Sequence, residues 1–148
     1  MGLPPVYIAT AAAGDGEMQA RIAEHRARRG PAWTTVEAEI DLAAAIAAQA
    51  SPERAVLVDC LTLWLSNVML AEHVIEAEQA DLLAALRAAR GPIVLVSNEV
   101  GLGLVPETRL GRCFRDAQGR LNQAVAALAC RVDFVAAGLA IKLKEPAP

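Results

Sequence analysis

The sequence predicts an α/β fold: a mostly parallel sheet flanked by helices. Three observations carry that prediction. Short apolar runs (PVYIAT, AVLVD, IVLVS) alternate with longer amphipathic stretches. The runs have the length of strands and the stretches that of helices. No run shows the polar–apolar alternation of a half-exposed strand, so the strands are expected to be buried on both faces, as in parallel sheets with right-handed helical crossovers.

In order along the chain, Pro5–Thr10 reads as a strand and Glu17–Arg29 as a helix. Trp33 reads as an edge-strand residue, and Ile40–Gln49 is a small-residue helix. Ala55–Asp59 is a strand, and Leu61–Ala71 a helix. Glu76–Arg90 is a helix stopped by Gly91-Pro92. Ile93–Ser97 is a strand, Thr108–Cys130 is mostly helical, and Val132–Ala136 is the last strand. The 148 residues suit one domain spanning 1–148.

Composition narrows the function classes. Fourteen basic residues against 17 acidic ones give a net charge of −3, so no global field attracts nucleic acid. Aromatics are 3%, too few for a base-stacking platform. Hydrophobic residues are 55%, which excludes a disordered chain. Cys60, Cys113 and Cys130 are odd in number and lack metal-ligand spacing, which fits a reducing compartment. With no secretory leader pattern and no apolar span of membrane length, a soluble cytoplasmic protein is the expectation.

In parallel sheets, ligands bind beyond the carboxyl ends of the strands. Thr10, Asp59, Ser97-Asn98-Glu99 and Gly138 fall there. Asp59 ends a buried strand, the place for a magnesium-binding acid, or else it caps the following helix. Thr62 reads as a cap or a polar contact. His25 shares a helical face with Arg21, Arg28 and Arg29. Those cations oppose protonation of the imidazole and match nucleotide phosphates, which suits attack on phosphorus. Spacing alone favours the plainer reading, that His25 is a boundary residue beside a solvated basic face. Arg109, Arg112, Asp116, Gly119 and Gln123 form one helical stripe, for an anionic ligand or a subunit contact. His73, Trp33 and Trp64 read as surface or packing residues.

Four blocks together resemble one family, the bifunctional adenosylcobinamide kinase / adenosylcobinamide-phosphate guanylyltransferases. They are YIAT with EMQARIAEHRARRGPAWTTVE, then LVDCLTLWLSN, then VSNEVGLGLVPETRLGRCFRDAQGRLNQ, and the tail VAAGLAIKLK. The resemblance implies a P-loop NTPase-like (RecA-like) fold, a homotrimer, and a role in cobalamin biosynthesis. It implies phosphorylation of adenosylcobinamide by GTP or ATP, then GMP transfer from GTP through a guanylyl-histidine. By the motif match His25 is that histidine and Asp59 the Mg2+-binding acid. Arg21, Arg28, Arg29, Glu99, Arg109 and Arg112 become nucleotide- or phosphate-binding candidates, with Arg115 in the same block. The family pattern also carries a strand and a G-x-x-x-x-GK-[ST] loop upstream of YIAT. Neither of the two lysines, Lys142 and Lys144, sits in such a loop. The expectation is therefore a poor kinase whose domain lacks its first strand and P-loop, most simply by truncation at its N-terminus, otherwise as a P-loop-less relative without either activity or as a fold completed by another chain.

Overall fold

The computed structural model describes residues 2–12 and 16–146, with the side chains of 17–19, 21, 22, 26 and 28 left undescribed. In chain order it contains strand β1 (Pro5–Ala9), helix α1 (Gly16–Arg29), β2 (Thr34–Glu37), α2 (Leu42–Gln49), β3 (Ala55–Asp59) and α3 (Leu61–Leu70). Then follow α4 (Ile75–Ala88), β4 (Ile93–Val96), a 3-10 turn (Val100–Leu102), α5 (Arg109–Leu128), β5 (Val132–Ala136) and β6 (Leu139–Lys144).

Four parallel strands form a sheet in the order β2-β1-β3-β4. The chain steps from β1 outward to β2, then reverses and crosses β1 to reach β3 and β4. Right-handed connections place helices on opposite faces before and after such a reversal. The packing agrees. Val6, Ile8, Val56 and Val58 share one face, and their core includes Leu42 and Ile46 of α2, Leu61, Trp64, Leu65 and Val68 of α3, Leu82 of α4, and Ala117 and Leu121 of α5. Most of these side chains are fully buried, so truncating one of the leucines to alanine costs about 2–5 kcal/mol. Tyr7, Leu57, Asp59, Val94 and Val96 share the other face. There Arg29, the last residue of α1, lies over the Tyr7 ring.

Two expectations are corrected here. Two-sided burial fails at β4, where Val94 is 56% and Val96 39% exposed. An apolar run signals that a strand can be buried twice, but nothing among the described residues covers this side. The final strand does not join the parallel sheet. Instead β5 pairs antiparallel with β6, through a turn at Ala137 (φ 52°) and Gly138 (φ 75°). Two consecutive left-handed residues make the two-residue hairpin turn that fits strand twist. Gly138 therefore belongs to a hairpin and not to a strand-end ligand position. Helix ends shift by one or two residues from the sequence reading, and strand β2 begins one residue after Trp33. All three cysteines are free. Among the described residues no helix is long and apolar enough to cross a membrane.

Candidate active site

The reversal of winding lies between β1 and β3. Their carboxyl ends diverge into connections on opposite faces, the place where sheets of this kind form a binding crevice. Ala9 stands opposite Asp59 in the register, so the residues after each strand face one another. The fully buried Thr10 ties the two ends together. Its Oγ1 accepts a hydrogen bond from Cys60 N (2.7 Å) and donates one to Cys60 O (2.8 Å), while its own N–H donates to Asp59 O (3.2 Å). These bonds satisfy backbone groups that the ladder leaves unpaired where the strands end.

Asp59 does not cap the next helix. The residue at the start of α3 is Cys60, and no side chain caps that end. The Asp59 carboxylate is held from the sheet below, where Tyr7 Oη donates to Asp59 Oδ2 at 2.6 Å. Tyr7 is 7% exposed. Burial first, and then the hydrogen bond and negative charge of Asp59, push its phenol above the ordinary tyrosine range, with Arg29 opposing. The hydroxyl thus remains a proton donor at neutral pH. The Arg29 guanidinium carbon sits 3.5 Å from the Tyr7 ring centroid, and the Trp33 ring meets Tyr7 edge-on at 6.2 Å. The chain on both sides of the α1–β2 turn is thereby clasped to the residue that holds Asp59.

Helix α3 orders the rest of the rim. Asn67 Nδ2 donates to Thr10 O (2.8 Å) and Glu39 O (3.0 Å), and Trp64 Nε1 donates to Ile40 O (2.7 Å). They fix the loop after β2, beside a cavity of about 420 Å³ lined by Glu37, Ala38, Glu39, Ile40, Asp41, Ala44 and Ala45. Thr62 makes a polar contact: its Oγ1 accepts from Asn98 N at 2.9 Å, joining α3 to the end of β4. Beyond it, Ser97 Oγ and Gln118 Nε2 both donate to Asn122 Oδ1 (2.6 and 2.9 Å), and Asn122 Nδ2 donates to Asn98 O (3.1 Å).

The structure brings some of the sequence candidates together and leaves others apart. His25 is exposed on α1 and lies one helical turn before Arg29, about 6 Å along the axis. The side chains of Arg21 and Arg28 fall outside the described residues. Arg29 is engaged on the Tyr7 ring. Glu99 accepts from Gly101 N at 2.8 Å, capping the 3-10 turn. Arg112 donates to the carbonyls of Pro106 (3.0 Å) and Glu107 (2.7 Å), bracing the loop before α5. Arg109 begins α5 and is exposed, and Arg115 is half-buried. Within the α5 stripe, Arg109, Arg112, Asp116 and Gln123 are exposed, and the buried polar residue on α5 is Gln118. His73 is exposed and paired with Glu78 at 2.8 Å. The sequence reading missed Tyr7, Asn67, Gln118 and Asn122. For Tyr7 and Asn67 a signal was present: one is the only tyrosine, two residues before a strand end, and the other is an amide inside an apolar helix.

A single half-buried carboxylate at a strand end fits magnesium, which keeps several waters and takes one or two carboxylates plus substrate phosphates. Among the described residues no group of three or more His, Cys, Asp and Glu stands ready to hold an ion unaided.

Comparison with known proteins agrees with this architecture. Residues 1–143 match the family model described as cobinamide kinase / cobinamide phosphate guanyltransferase. The bifunctional adenosylcobalamin biosynthesis protein CobP of Pseudomonas aeruginosa is 51% identical over 148 residues, covering 98% of this chain and 86% of the relative. The bifunctional adenosylcobalamin biosynthesis protein CobU of Escherichia coli is 40% identical over 154 residues, covering 94% of this chain and 85% of the relative. Its Salmonella typhimurium counterpart is 39% identical over the same length.

Proposed function

The chain belongs to the cobinamide kinase / cobinamide phosphate guanyltransferase family, and from that membership and the site's geometry we propose that it transfers GMP from GTP to adenosylcobinamide phosphate in cobalamin biosynthesis. His25 is the nucleophile. One imidazole nitrogen attacks the α-phosphorus, a P–N bond forms, and the bond to the bridging oxygen breaks as pyrophosphate leaves. A phosphate oxygen of the corrinoid then attacks the same phosphorus and displaces His25, giving adenosylcobinamide-GDP. Splitting the transfer in this way replaces one difficult displacement with two easier ones.

The observation that carries this reading is the contact of Arg29 with the Tyr7 ring, because Tyr7 in turn bonds Asp59. Helix α1, with His25 one turn away, is thereby tied to the crevice where a nucleotide is expected. Asp59 would hold magnesium, which when bound neutralises charge on the triphosphate. The adjoining cavity is lined by the acidic residues Glu39 and Asp41 beside Ala38, Ile40, Ala44 and Ala45, and carboxylates there would suit the N–H edge of a guanine. Arg21, Arg28, Arg29 and Arg109 are the phosphate-binding candidates that this reading retains, with Glu99 and Arg112 shaping the loop beside them. A homotrimer belongs to the same reading, supported by the exposed Val135, Leu139, Ile141 and Leu143 of the β5–β6 hairpin.

A second reading is a relative that only binds nucleotide or corrinoid, or oligomerises. Incubation with GTP labelled in the α-phosphate separates the two readings. Acid-labile label on the protein, lost in His25→Ala, supports the transferase. An unlabelled, folded wild-type protein supports the binding-only relative.

A further inference from the structure

Tyr7 is the only tyrosine in the chain, and it sits on the sheet face away from the main core. Packing alone does not need its hydroxyl: at this position phenylalanine would offer Arg29 and Trp33 the same ring. What the hydroxyl adds is one short bond across the sheet, from β1 to the last residue of β3, between residues 52 apart in sequence. It engages Asp59 Oδ2, and among the described residues Oδ1 accepts no hydrogen bond. The ring meets different partners, the cation that ends α1 and the indole that precedes β2. Hydroxyl and ring therefore act on two different parts of the site.

We propose that Tyr7 is a positioning residue for guanylyl transfer: its hydroxyl orients the Asp59 carboxylate toward the nucleotide's divalent cation, and its ring sets the seat of the helix that carries His25. This rests on the reading of Asp59 and His25 given above. The carboxylate turns about its Cβ–Cγ bond unless something holds it, and a charge-assisted bond to one oxygen fixes where the other points. The cation–π contact holds α1 at its last residue, and an imidazole one turn away inherits that placement.

The two halves are separable by substitution. Tyr7→Phe removes the hydroxyl and keeps the ring, whereas Tyr7→Leu removes both. Two quantities are measured on each folded variant. One is Mn2+ affinity by EPR in the presence of a GTP analogue with a methylene between the α- and β-phosphorus. The other is the rate of α-phosphate labelling of His25 at saturating metal. Tyr7→Phe is expected to weaken Mn2+ binding by about tenfold, the size of one charged hydrogen bond, with labelling at saturating metal slowed less than in Tyr7→Leu. Tyr7→Leu is expected to show the same metal defect and, in addition, about tenfold slower labelling, because the seat of α1 is lost. Unchanged Mn2+ affinity in Tyr7→Phe overturns the hydroxyl's role, and equal labelling rates in the two variants overturn the ring's. Asp59→Asn keeps these outcomes apart from the parent reading. If that variant binds Mn2+ like wild type, Asp59 is not the metal ligand and the proposed function is what fails. If it loses Mn2+ while Tyr7→Phe does not, only the role of Tyr7 falls.

Discussion

Thr10→Val tests whether the crevice is held open by hydrogen bonds or merely bounded by them. Valine has nearly the shape of threonine, so the substitution leaves no cavity at a fully buried position. It removes both bonds to Cys60, at 2.7 and 2.8 Å. Cys60 is itself 6% exposed, so its N–H loses its partner with little water to replace it, whereas its C=O keeps the bond from Trp64 N at 3.1 Å. The unpaired N–H costs about 1–3 kcal/mol and the second lost bond about 1 kcal/mol, so the two together cost about 2–4 kcal/mol. That is a large share of a typical stability of about 5–15 kcal/mol. Thr10→Ser is the control, since it keeps the hydroxyl and loses one methyl, for about 1 kcal/mol. Urea unfolding followed by tryptophan fluorescence reads both, and the slope with denaturant should stay constant so that the midpoints compare. If Thr10→Val unfolds at the same urea concentration as Thr10→Ser, the bridge between the β1 and β3 ends contributes nothing and the physical account of the crevice is wrong.

The pH response of Tyr7 follows from its raised pKa. A phenol whose folded value lies above the unfolded one, near 10, contributes stability in full below about pH 10 and loses it as pH rises through the folded value. With one tyrosine in the chain, absorbance near 295 nm should show little phenolate in the native protein at pH 10 and ordinary titration after denaturation. Tyr7→Phe should lose less stability above pH 10 than wild type, and an ordinary native titration would show that the burial and the bond to Asp59 do not hold. Gly91→Ala puts a side chain at φ 94° with its Cβ 2.0 Å from Ser51 O, whereas Gly30→Ala at φ 70° meets nothing within 4 Å. The first should cost at least about 2 kcal/mol more than the second, which carries only the left-handed penalty of about 1–2 kcal/mol. Thermal melts compare them, and equal midpoints would mean that the Gly91 turn relaxes freely.

The sequence exposes what depends on local pattern and hides what depends on register. Strands β1 and β3 are legible because Val6, Ile8, Val56 and Val58 fill a core that any apolar run announces. Strand β4 carries the same signal, yet Val94 and Val96 stand exposed, because composition does not say which faces are covered. Strand β6 alternates Ile141 and Leu143 with Lys142 and Lys144, a period-two signal that is present but short and charged. Asp59 and Thr10 are legible as polar residues ending apolar strands. The role of Tyr7 is not, since it requires knowing that Ala9 lies opposite Asp59 and that a phenol two residues lower reaches up to it. Helical spacing grouped Arg29 with the other cations around His25. It could not show that the side chain turns onto an aromatic ring of another element. On α5 the spacing found a face that stands exposed, open to a ligand or a subunit, but it could not show that Gln118, off the stripe, is the buried polar residue.

One topological fact connects these particulars. Because the chain reverses between β1 and β3, the face that packs α2 to α5 can be filled by aliphatic side chains with no functional demand on them. The opposite face is left to the chemistry, and there the sheet presents a phenol and a carboxylate where an all-purpose core would place two more valines. The polar bonds at the crevice then follow a division of labour. Thr10 locks the backbone, Tyr7 holds the carboxylate, and Arg29 brings in the helix that carries His25. The contacts of Thr10 and Arg29 join parts that the sheet ladder does not, and the Tyr7–Asp59 bond runs diagonally across a ladder pair. Loss of any one should therefore damage the geometry of the site well beyond what its effect on global stability would suggest.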